Sequence, residues 1–186
     1  MVQIGFTLFI AAWGAGVALW LLAIGESVGM WRFWPRVFEI GVRVLQEARS
    51  LPLPTLAVGS EFETKSGKFK IIAPQLCFFR MRMSCMNADL HTPFPIKGSL
   101  RWNGSRVAIE GRIPVFTTLF LAAWLVAWTI GMAIVASKPG NLVGGVAYLF
   151  LGWAFTAGIC LLSIPFEIRR AMRILREFEA QVSGPT

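Results

Sequence analysis

The side chains of this chain that could do acid–base or nucleophilic chemistry are few, and they gather around its one histidine. His91 lies between Asp89 and Pro93, and Ser84 precedes it by seven residues. A serine, a histidine and an aspartate are the components of a hydrolase triad, but the chain has no GxSxG turn to present the serine. A single loop histidine near prolines is ordinarily structural. We therefore predict that the protein is not an enzyme.

The cysteines offer no better site. Cys77, Cys85 and Cys160 are odd in number and lack the CxxC spacing of zinc and redox sites. One histidine and scattered carboxylates do not complete a plausible ligand set. Glycine-rich phosphate loops are absent as well. We predict no metal and no cofactor, and we interpret the cysteines as small apolar residues in a reducing compartment.

Anion binding is the chemistry that the arginines indicate, and a predicted hairpin presents them. Asn103 and Gly104 are the favoured centre of a two-residue type I′ turn between two alternating strands. Counting outwards from that turn places Arg101 directly opposite Arg106. Two guanidinium groups held side by side suit a phosphate or a carboxylate, from a lipid headgroup or from an acidic partner.

The same register gives the hairpin a basic face, on which Lys97 is expected opposite Glu110. A strand over residues 76–85 alternates in the same way, and its arginines extend the basic face if it joins the same sheet. Topology alone also concentrates basic residues near membranes, and this alternative stays open. The candidates for binding an anion or an acidic partner are Arg101, Arg106, Arg112, Arg80 and Arg82.

Three long apolar runs must position this surface. Residues 4–24, 115–136 and 142–164 contain no charged side chain, and the mean hydropathy of the chain is +0.62. As helices of about 22 residues, such runs match the roughly 30 Å of a bilayer's hydrocarbon core. The sequence therefore predicts three transmembrane helices. Their lack of ionisable side chains disfavours a self-sufficient pump or coupled transporter.

The basic residues are distributed unevenly around these runs. None precedes the first run, 13 lie between the first and second, one lies between the second and third, and four follow the third. The positive-inside rule then predicts the N-terminus outside, with the middle segment and the C-terminus in the cytoplasm. The net charge of +8 is expected to face anionic membrane lipids and not nucleic acid. We expect a multi-pass protein of a bacterial inner membrane.

The segments between and after the predicted spans have their own patterns. Residues 28–50 combine interfacial aromatic residues with one apolar and one charged helical face, which predicts an amphipathic helix in the membrane interface. Residues 166–181 place apolar side chains opposite four arginines, as in a basic amphipathic helix on anionic lipid. Between the two, residues 51–114 predict a compact, mostly antiparallel β domain.

Small residues recur at four-residue spacing in the predicted spans, and such spacing lets helices approach closely. Packing within one chain is the simplest explanation, and packing against another membrane protein or a second copy is the alternative. The helix-packing candidates are Ala123, Ala127, Gly131, Ala154 and Gly158.

Together these patterns predict a membrane α+β protein, in which a small cytoplasmic β domain is inserted between transmembrane helices 1 and 2. The first hypothesis for its function is a non-enzymatic accessory or scaffold subunit of a larger membrane complex, whose basic β domain docks a partner. The second is a stand-alone module that binds anionic lipid or senses the membrane. The third is a small membrane enzyme that acts on lipid headgroups around His91.

Overall fold

The computed structural model describes residues 2–54, 57–82, 94–138, 140 and 142–182. Within these ranges the chain forms helices at both ends and β-strands in the middle. In chain order the elements are α1 (Val2–Trp31), α2 (Pro35–Glu39), β1 (Val42–Ser50), β2 (Glu61–Glu63), β3 (Gly67–Ala73), β4 (Leu76–Met81), β5 (Lys97–Asn103), β6 (Arg106–Ile113), α3 (Val115–Ala136) and α4 (Leu142–Val182).

Three of the described helices are long and apolar enough to cross a membrane, by length and composition. They are Ile10–Trp31 within α1, α3, and α4, whose most apolar 18-residue windows have mean hydropathies of 1.5, 2.2 and 1.9. α3 has the bounds of the predicted second run, whereas α1 and α4 both extend beyond the predicted ones. The chain divides into a helical unit, Met1–Gly25 with Phe116–Leu162, and a sheet unit, Glu26–Val115 with Ser163–Thr186.

The sheet unit is built on one six-stranded sheet, and its antiparallel pairing confirms what the alternating patterns predicted. The strand order is β1-β6-β5-β4-β3-β2, and every neighbouring pair is antiparallel. From β2 to β6 each strand pairs with the next along the chain. β1, which follows the first two helices, pairs with β6, which leads into α3. The two strands connected to candidate spans therefore lie side by side at one edge of the sheet.

The turn of the β5–β6 hairpin differs from the predicted one by one residue. Asn103 pairs with Arg106, so the two turn residues are Gly104 and Ser105. Gly104 has a φ of +63°, which matches the first central position of a type II′ turn, where glycine is preferred. Glycine therefore determines the position of this turn more strongly than the Asn-Gly pair does.

This shift makes two predicted pairings wrong. Arg101 lies opposite Ala108, and not opposite Arg106. Lys97 lies opposite Arg112 instead of the predicted glutamate. Because each partner moves by two positions, and the two faces of a strand alternate with every residue, the same side chains stay on the same faces.

The interfacial helix predicted for residues 28–50 is wrong. α1 continues to Trp31, α2 is only Pro35–Glu39, and Val42–Ser50 is the edge strand β1, paired along its length with β6. The composition of the segment is interfacial, but from Val42 onwards its backbone groups find partners in the sheet.

A β-bulge explains why β1 resembled a helix. Arg43 pairs with Arg112 and Leu45 pairs with Gly111, which leaves Val44 as an extra residue. The bulge brings two apolar residues into succession and interrupts the period of two that identifies a strand. The remaining apolar spacing then imitates that of a helix.

α1 extends past its predicted end and finishes in a Schellman motif. The Trp34 N–H donates to the carbonyl of Gly29 at 2.9 Å, and the Phe33 N–H donates to that of Met30 at 3.3 Å. Phe33 takes the left-handed position, with a φ of +54°, which usually belongs to glycine. Its buried ring stacks on Phe38 at 5.6 Å, so packing offsets a backbone cost of roughly 1–2 kcal/mol.

One face of the sheet, the α4 face, is covered by the second half of α4. Phe178 is fully buried there, with its ring centroid 4.8 Å from that of Phe69 and 6.3 Å from that of Trp102. At the border of this contact Arg49 pairs with Glu179 at 2.5 Å. The buried side chains that the sheet contributes to this face include Leu45, Phe69, Ile71, Cys77, Phe79, Leu100, Trp102, Val107 and Ile109.

The amphipathic helix predicted for residues 166–181 is therefore corrected in two respects. It is not a separate helix, because α4 runs without a break through Pro165. Its apolar stripe packs on the sheet and not on lipid, because the sheet offers a matching apolar face. The fully buried residues of the stripe are Ala171, Ile174, Leu175 and Phe178.

In the helical unit, α3 and α4 approach closely at two glycines of α4. A Cβ atom at Gly145 would collide with Ala136, and one at Gly152 would collide with the indole of Trp128. That indole donates from Nε1 to the carbonyl of Tyr148 at 3.1 Å. Glycine is needed at both positions because the neighbouring helix occupies the space of a side chain.

Candidate anion-binding surface

The strand register aligns five basic residues in one row across the sheet. Lys68 pairs with Arg80, Arg80 with Lys97, Lys97 with Arg112, and Arg112 with Arg43. We call these five residues the basic row. Directly opposed residues point to the same side of a sheet, and this side is the one opposite the α4 face. We call it the basic face.

Like charges directly opposite one another destabilise a sheet, so the row requires compensation. At its centre Lys97 donates to Oε1 of Glu26 at 2.5 Å, and the two side chains are only 0 % and 3 % exposed. Burial lowers the pKa of Lys97, and the hydrogen bond to Glu26 acts in the opposite direction. The pair is needed because a buried charge without a partner costs several kcal/mol.

Glu26 connects three elements of the sheet unit. Besides Lys97 of β5, its Oε1 accepts a hydrogen bond of 3.1 Å from the N–H of Val115, the first residue of α3. The first N–H groups of a helix have no partner within the helix, and negative charge is favourable there. This one carboxylate therefore links α1, β5 and the beginning of α3.

Arg112, the next residue of the row, is held by acceptors on two sides. It donates from Nη2 to Glu110 at 2.8 Å and from Nη1 to the backbone carbonyl of Glu39 at the end of α2. The hydrogen bond from Arg112 lowers the pKa of Glu110, and the charges of Arg43 and Arg101 lower it further, against the opposing effect of burial. Three arginines thus act on one carboxylate.

The other end of the row is balanced by the carboxylates of β2. Lys68 lies 3.2 Å from oxygens of both Glu61 and Glu63, and Lys70 lies 2.8 Å from Glu61. The hydrogen bond from Lys70 lowers the pKa of Glu61, and Glu61 raises that of Lys68. The four side chains are partly exposed, so these pairs add little stability. Together they carry no net charge.

Arg80 is half-buried beside aromatic rings. Its guanidinium carbon lies 5.1 Å from the ring centroid of Phe33 and 5.9 Å from that of Trp31, within cation–π distance. It donates from Nη1 to the carbonyl of Met81 at 3.2 Å, and its Nε has no hydrogen-bond partner among the described residues. Burial lowers the pKa of Arg80. Aromatic rings therefore take the place of a contacting carboxylate in stabilising this charge.

The other predicted arginines lie apart from the row. Arg101 and Arg106 are exposed on the basic face, nearer to the β5–β6 turn, and they do not form the opposed pair that the sequence predicted. Arg82 follows β4 and lies 3.7 Å from Glu63. The remaining two predicted residues belong to the basic row.

Part of the basic face is exposed, and we call this part the open area. It comprises Arg43, Gln46, Ala48, Arg101, Arg106 and Ala108. A shallow depression between β1 and β6 is lined by Gln46, Ala48, Ala108 and Glu110 of this face, and by Glu47 and Ile109, whose strand positions belong to the α4 face. The three exposed arginines of the open area, Arg43, Arg101 and Arg106, lie on β1, β5 and β6. Such a surface can meet another flat surface, but it does not enclose a small molecule.

Two of the predicted helix-packing residues line an apolar groove in the helical unit. The groove has a volume of about 250 Å³ and lies between α1 and α3. Both small residues and tryptophans lie among its lining residues. These residues include Ala12, Gly16, Ala123 and Ala127, with Trp13, Trp20 and Trp124.

The other three helix-packing candidates are placed differently. A Cβ atom at Gly131 or at Gly158 would meet no other atom within 4 Å. Ala154 is exposed. Among the described residues, the close contacts between α3 and α4 are made by other glycines of α4, so small-residue spacing alone did not identify which glycines a neighbouring helix requires.

The residues considered for nucleophilic chemistry cannot be placed in the described part of the chain. Ser84, Asp89 and His91 lie outside the described residues. Cys77 is buried on the α4 face, and burial raises the pKa of its thiol to about 12, which keeps it protonated and unreactive. Within the described part of the chain no group of three or more His, Cys, Asp or Glu side chains could hold a metal ion.

Sequence reasoning missed Glu26, Arg43 and Lys68 as members of this surface. Glu26 is the only charged side chain in the first 31 residues, and a charge in so apolar a stretch indicates a buried partner. This isolated charge was therefore visible in the sequence. Arg43 joins the row only through the pairing of β1 with β6, about 70 residues apart in the chain, which no local pattern predicts.

The surface as a whole has the chemistry of anion binding, because guanidinium groups recognise carboxylates and phosphates. Comparisons with protein-family models, with curated proteins and with solved structures gave no match.

Proposed function

We propose that this protein is a non-enzymatic accessory or scaffold subunit of a larger membrane complex. In this proposal the candidate spans anchor the chain, and the open area docks an acidic segment of a partner. One observation carries it. Arg43, Arg101 and Arg106 are exposed together in the open area, whereas most other cations of the described part of the sheet are balanced by carboxylates or rings within the protein.

The shape of the open area supports a protein partner. Ala48 and Ala108 keep the centre of the depression low, so a flat polypeptide surface can approach it closely. Arginine is enriched in protein interfaces, where its planar group binds carboxylates through two parallel hydrogen bonds. Glu110, which already pairs with Arg112, limits the net positive charge at the centre and leaves the arginines around it as the attractive groups.

The helical unit supports a membrane partner. α3 has no buried residue, and the apolar windows of the other two candidate spans are only 6 % buried. Most of this apolar surface is therefore available to lipid or to other helices. The groove lined by Ala123 and Ala127 would accept the side of a partner helix, because small residues permit close approach.

We also propose that the sheet unit lies on the cytoplasmic side of a bacterial inner membrane, with the N-terminus outside. The distribution of basic residues supports this orientation, since 13 of the 18 lie between the first two candidate spans and four lie in the second half of α4. A reporter that is active only in the cytoplasm should be active when fused after α4. It should be inactive when inserted at Lys138, between α3 and α4.

The test is native mass spectrometry of the full chain, extracted in mild detergent from its own host at native expression. We expect a reproducible assembly with one defined partner. The charge reversal Arg101→Glu with Arg106→Glu should remove that partner. The matched control reverses Arg169 and Arg173, two exposed arginines of α4, and should retain it.

A second pair of variants tests the helical unit. Ala127→Leu fills the groove and should weaken the assembly, whereas Ala154→Leu, the same change at an exposed position of α4, should not. A chain recovered without any protein partner from its own host would contradict the proposed subunit role. Loss of the partner in both charge-reversed proteins would show that net charge, and not the open area, holds it.

A further inference from the structure

The segment from Trp31 to Arg43, which we call the belt segment, contains both buried and exposed large apolar side chains. Phe33 and Phe38 are buried, and they pack with Met30 and Phe78 against the centre of the basic face. Other large apolar side chains of the segment are about half exposed. Trp31, Trp34, Ile40 and Val42 are each 46–55 % exposed.

Arginines alternate with these apolar groups along the belt segment. Arg32, Arg36 and Arg43 are all exposed, and among the described residues none of the three makes an ion pair. Glu39 is the only carboxylate of the segment, so its net charge is +2. The carbonyl, and not the carboxylate, of Glu39 accepts from Arg112.

This combination of side chains is characteristic of the lipid–water interface. Tryptophan is enriched there because its ring is amphipathic, and it lies at the level of the headgroups. Arginine binds phosphate oxygens through its planar donors, and its aliphatic stem can lie along apolar surface.

Chain connectivity holds the belt segment near the membrane. Trp31 is both its first residue and the last residue of the candidate span Ile10–Trp31. At its other end Val42 pairs with Ile113, two residues before α3 begins at Val115. Two residues of chain reach at most about 7 Å. Both ends of the belt segment are therefore tied closely to candidate spans.

We infer that the belt segment lies in the headgroup layer and that Arg32, Arg36 and Arg43 bind the phosphate groups of anionic phospholipids. The inference does not depend on the proposed docking of a partner at the open area, although Arg43 borders both regions. Trp31 and Trp34 set the depth of the segment in the layer. The arginines provide the preference for anionic over zwitterionic headgroups.

The test measures binding of phosphatidylglycerol and of phosphatidylcholine to the full chain in a neutral detergent, by native mass spectrometry at low ionic strength. The variant Arg32→Gln with Arg36→Gln and Arg43→Gln should raise the apparent Kd for phosphatidylglycerol at least about tenfold, because each arginine near an anionic headgroup contributes severalfold. Binding of phosphatidylcholine should change less than about twofold.

The matched control replaces three exposed arginines of α4, Arg169, Arg173 and Arg176, with glutamine. It removes the same charge, and it should change the phosphatidylglycerol Kd less than about threefold. An equal loss in both triple variants overturns the inference, because general charge then explains binding. Unchanged binding in the belt variant overturns it as well.

Two further measurements keep these outcomes interpretable. Equal unfolding midpoints of the parent and the belt variant would show that lost binding does not reflect lost folding. If the midpoints differ, the lipid-binding measurement is repeated with the single variant Arg36→Gln. Competition by millimolar inorganic phosphate would assign the arginines to a soluble anion and overturn the lipid assignment. Arg101→Glu with Arg106→Glu should leave lipid binding intact, so failure of the partner proposal and failure of this inference are distinguishable.

Discussion

The two faces of the six-stranded sheet are covered in different ways, although helical segments contact both. The α4 face is apolar, and one long helix seals it with four fully buried side chains. The basic face carries a row of five cations, and only its centre is covered, by Phe33, Phe38 and the end of α1. One face therefore supplies the stability of the domain, and the other presents charge.

The difference shows how the domain tolerates a row of like charges. The apolar face provides the main driving force for folding, since burial of apolar area is the largest favourable contribution. The basic face then needs only local compensation, by Glu26, by Glu110 and by the carboxylates of β2. The cations that lack such compensation are the ones that remain exposed, and these are the ones available to a ligand.

The largest loss of stability is expected when the main apolar anchor of the α4 face is removed. Phe178→Ala should lower the free energy of unfolding by about 3–5 kcal/mol, because it deletes a fully buried ring that stacks on Phe69. Thermal unfolding of the full chain in detergent should show a midpoint about 10 °C lower. Arg176→Ala, two residues earlier and exposed, is the control and should shift it little.

A second substitution tests whether the centre of the basic face is as buried as the α4 face. Lys97→Met leaves the buried Glu26 carboxylate without its cation and should cost about 3 kcal/mol, measured by the same unfolding experiment. Adding Glu26→Leu should recover part of the loss. Lys70→Met, which removes an exposed pair with Glu61, should cost less than about 1 kcal/mol. Equal effects of the two lysine substitutions would contradict the burial of Lys97.

A smaller effect on stability is expected within β5, where the two faces can be compared at neighbouring residues, because consecutive residues of a strand point to opposite faces. Gly98→Ala adds a methyl group that would collide with the ring of Phe79 on the α4 face, and it should cost about 1–3 kcal/mol in an unfolding titration. Ser99→Ala, the next residue and on the basic face, should change stability by less than about 0.5 kcal/mol. A neutral Gly98→Ala would show that the α4 face is loosely packed.

The smallest expected effect concerns pH and belongs to the basic face alone. Arg112 lowers the pKa of Glu110 in the folded protein, so the pair stabilises the fold above the ordinary carboxyl pKa, and this contribution is lost as the pH falls through the lowered value. At pH 7 Glu110→Gln should be less stable than the parent by about 0.2–1 kcal/mol, and near pH 3 the two should converge. A difference that stays constant between pH 7 and pH 3 would exclude the carboxylate as its cause.

Local patterns predicted the faces of the strands better than their partners. Leu100, Trp102, Val107 and Ile109 all point to the α4 face, as their alternation indicated, even though the turn lies one residue later. Alternation fixes the side on which a residue lies, and a shift of two positions preserves it. The predicted opposition of Arg101 and Arg106 depended on the register of the β5–β6 hairpin. That register is set by the turn residue that can take a positive φ.

Tertiary contacts account for the parts that the sequence did not predict. The apolar stripe of residues 166–181 was recognised as a stripe, but periodicity does not distinguish a sheet from lipid as its partner. In β1 the bulge at Val44 hid the strand, and with it the position of Arg43 in the basic row. The candidate spans were the best predicted part, because length and hydropathy are properties of a single segment.

The covering of the α4 face by the end of α4 has a consequence for synthesis of the protein. The last sheet strand ends at Ile113, but Phe178 and its neighbours are translated 65 residues later. At about 5–20 residues per second the sheet waits several seconds with an apolar face uncovered, while two further candidate spans are made. During that interval the exposed apolar face is prone to aggregation. A ribosome that stops before Ser163 releases a chain that cannot complete its fold, so quality control should remove such truncated chains.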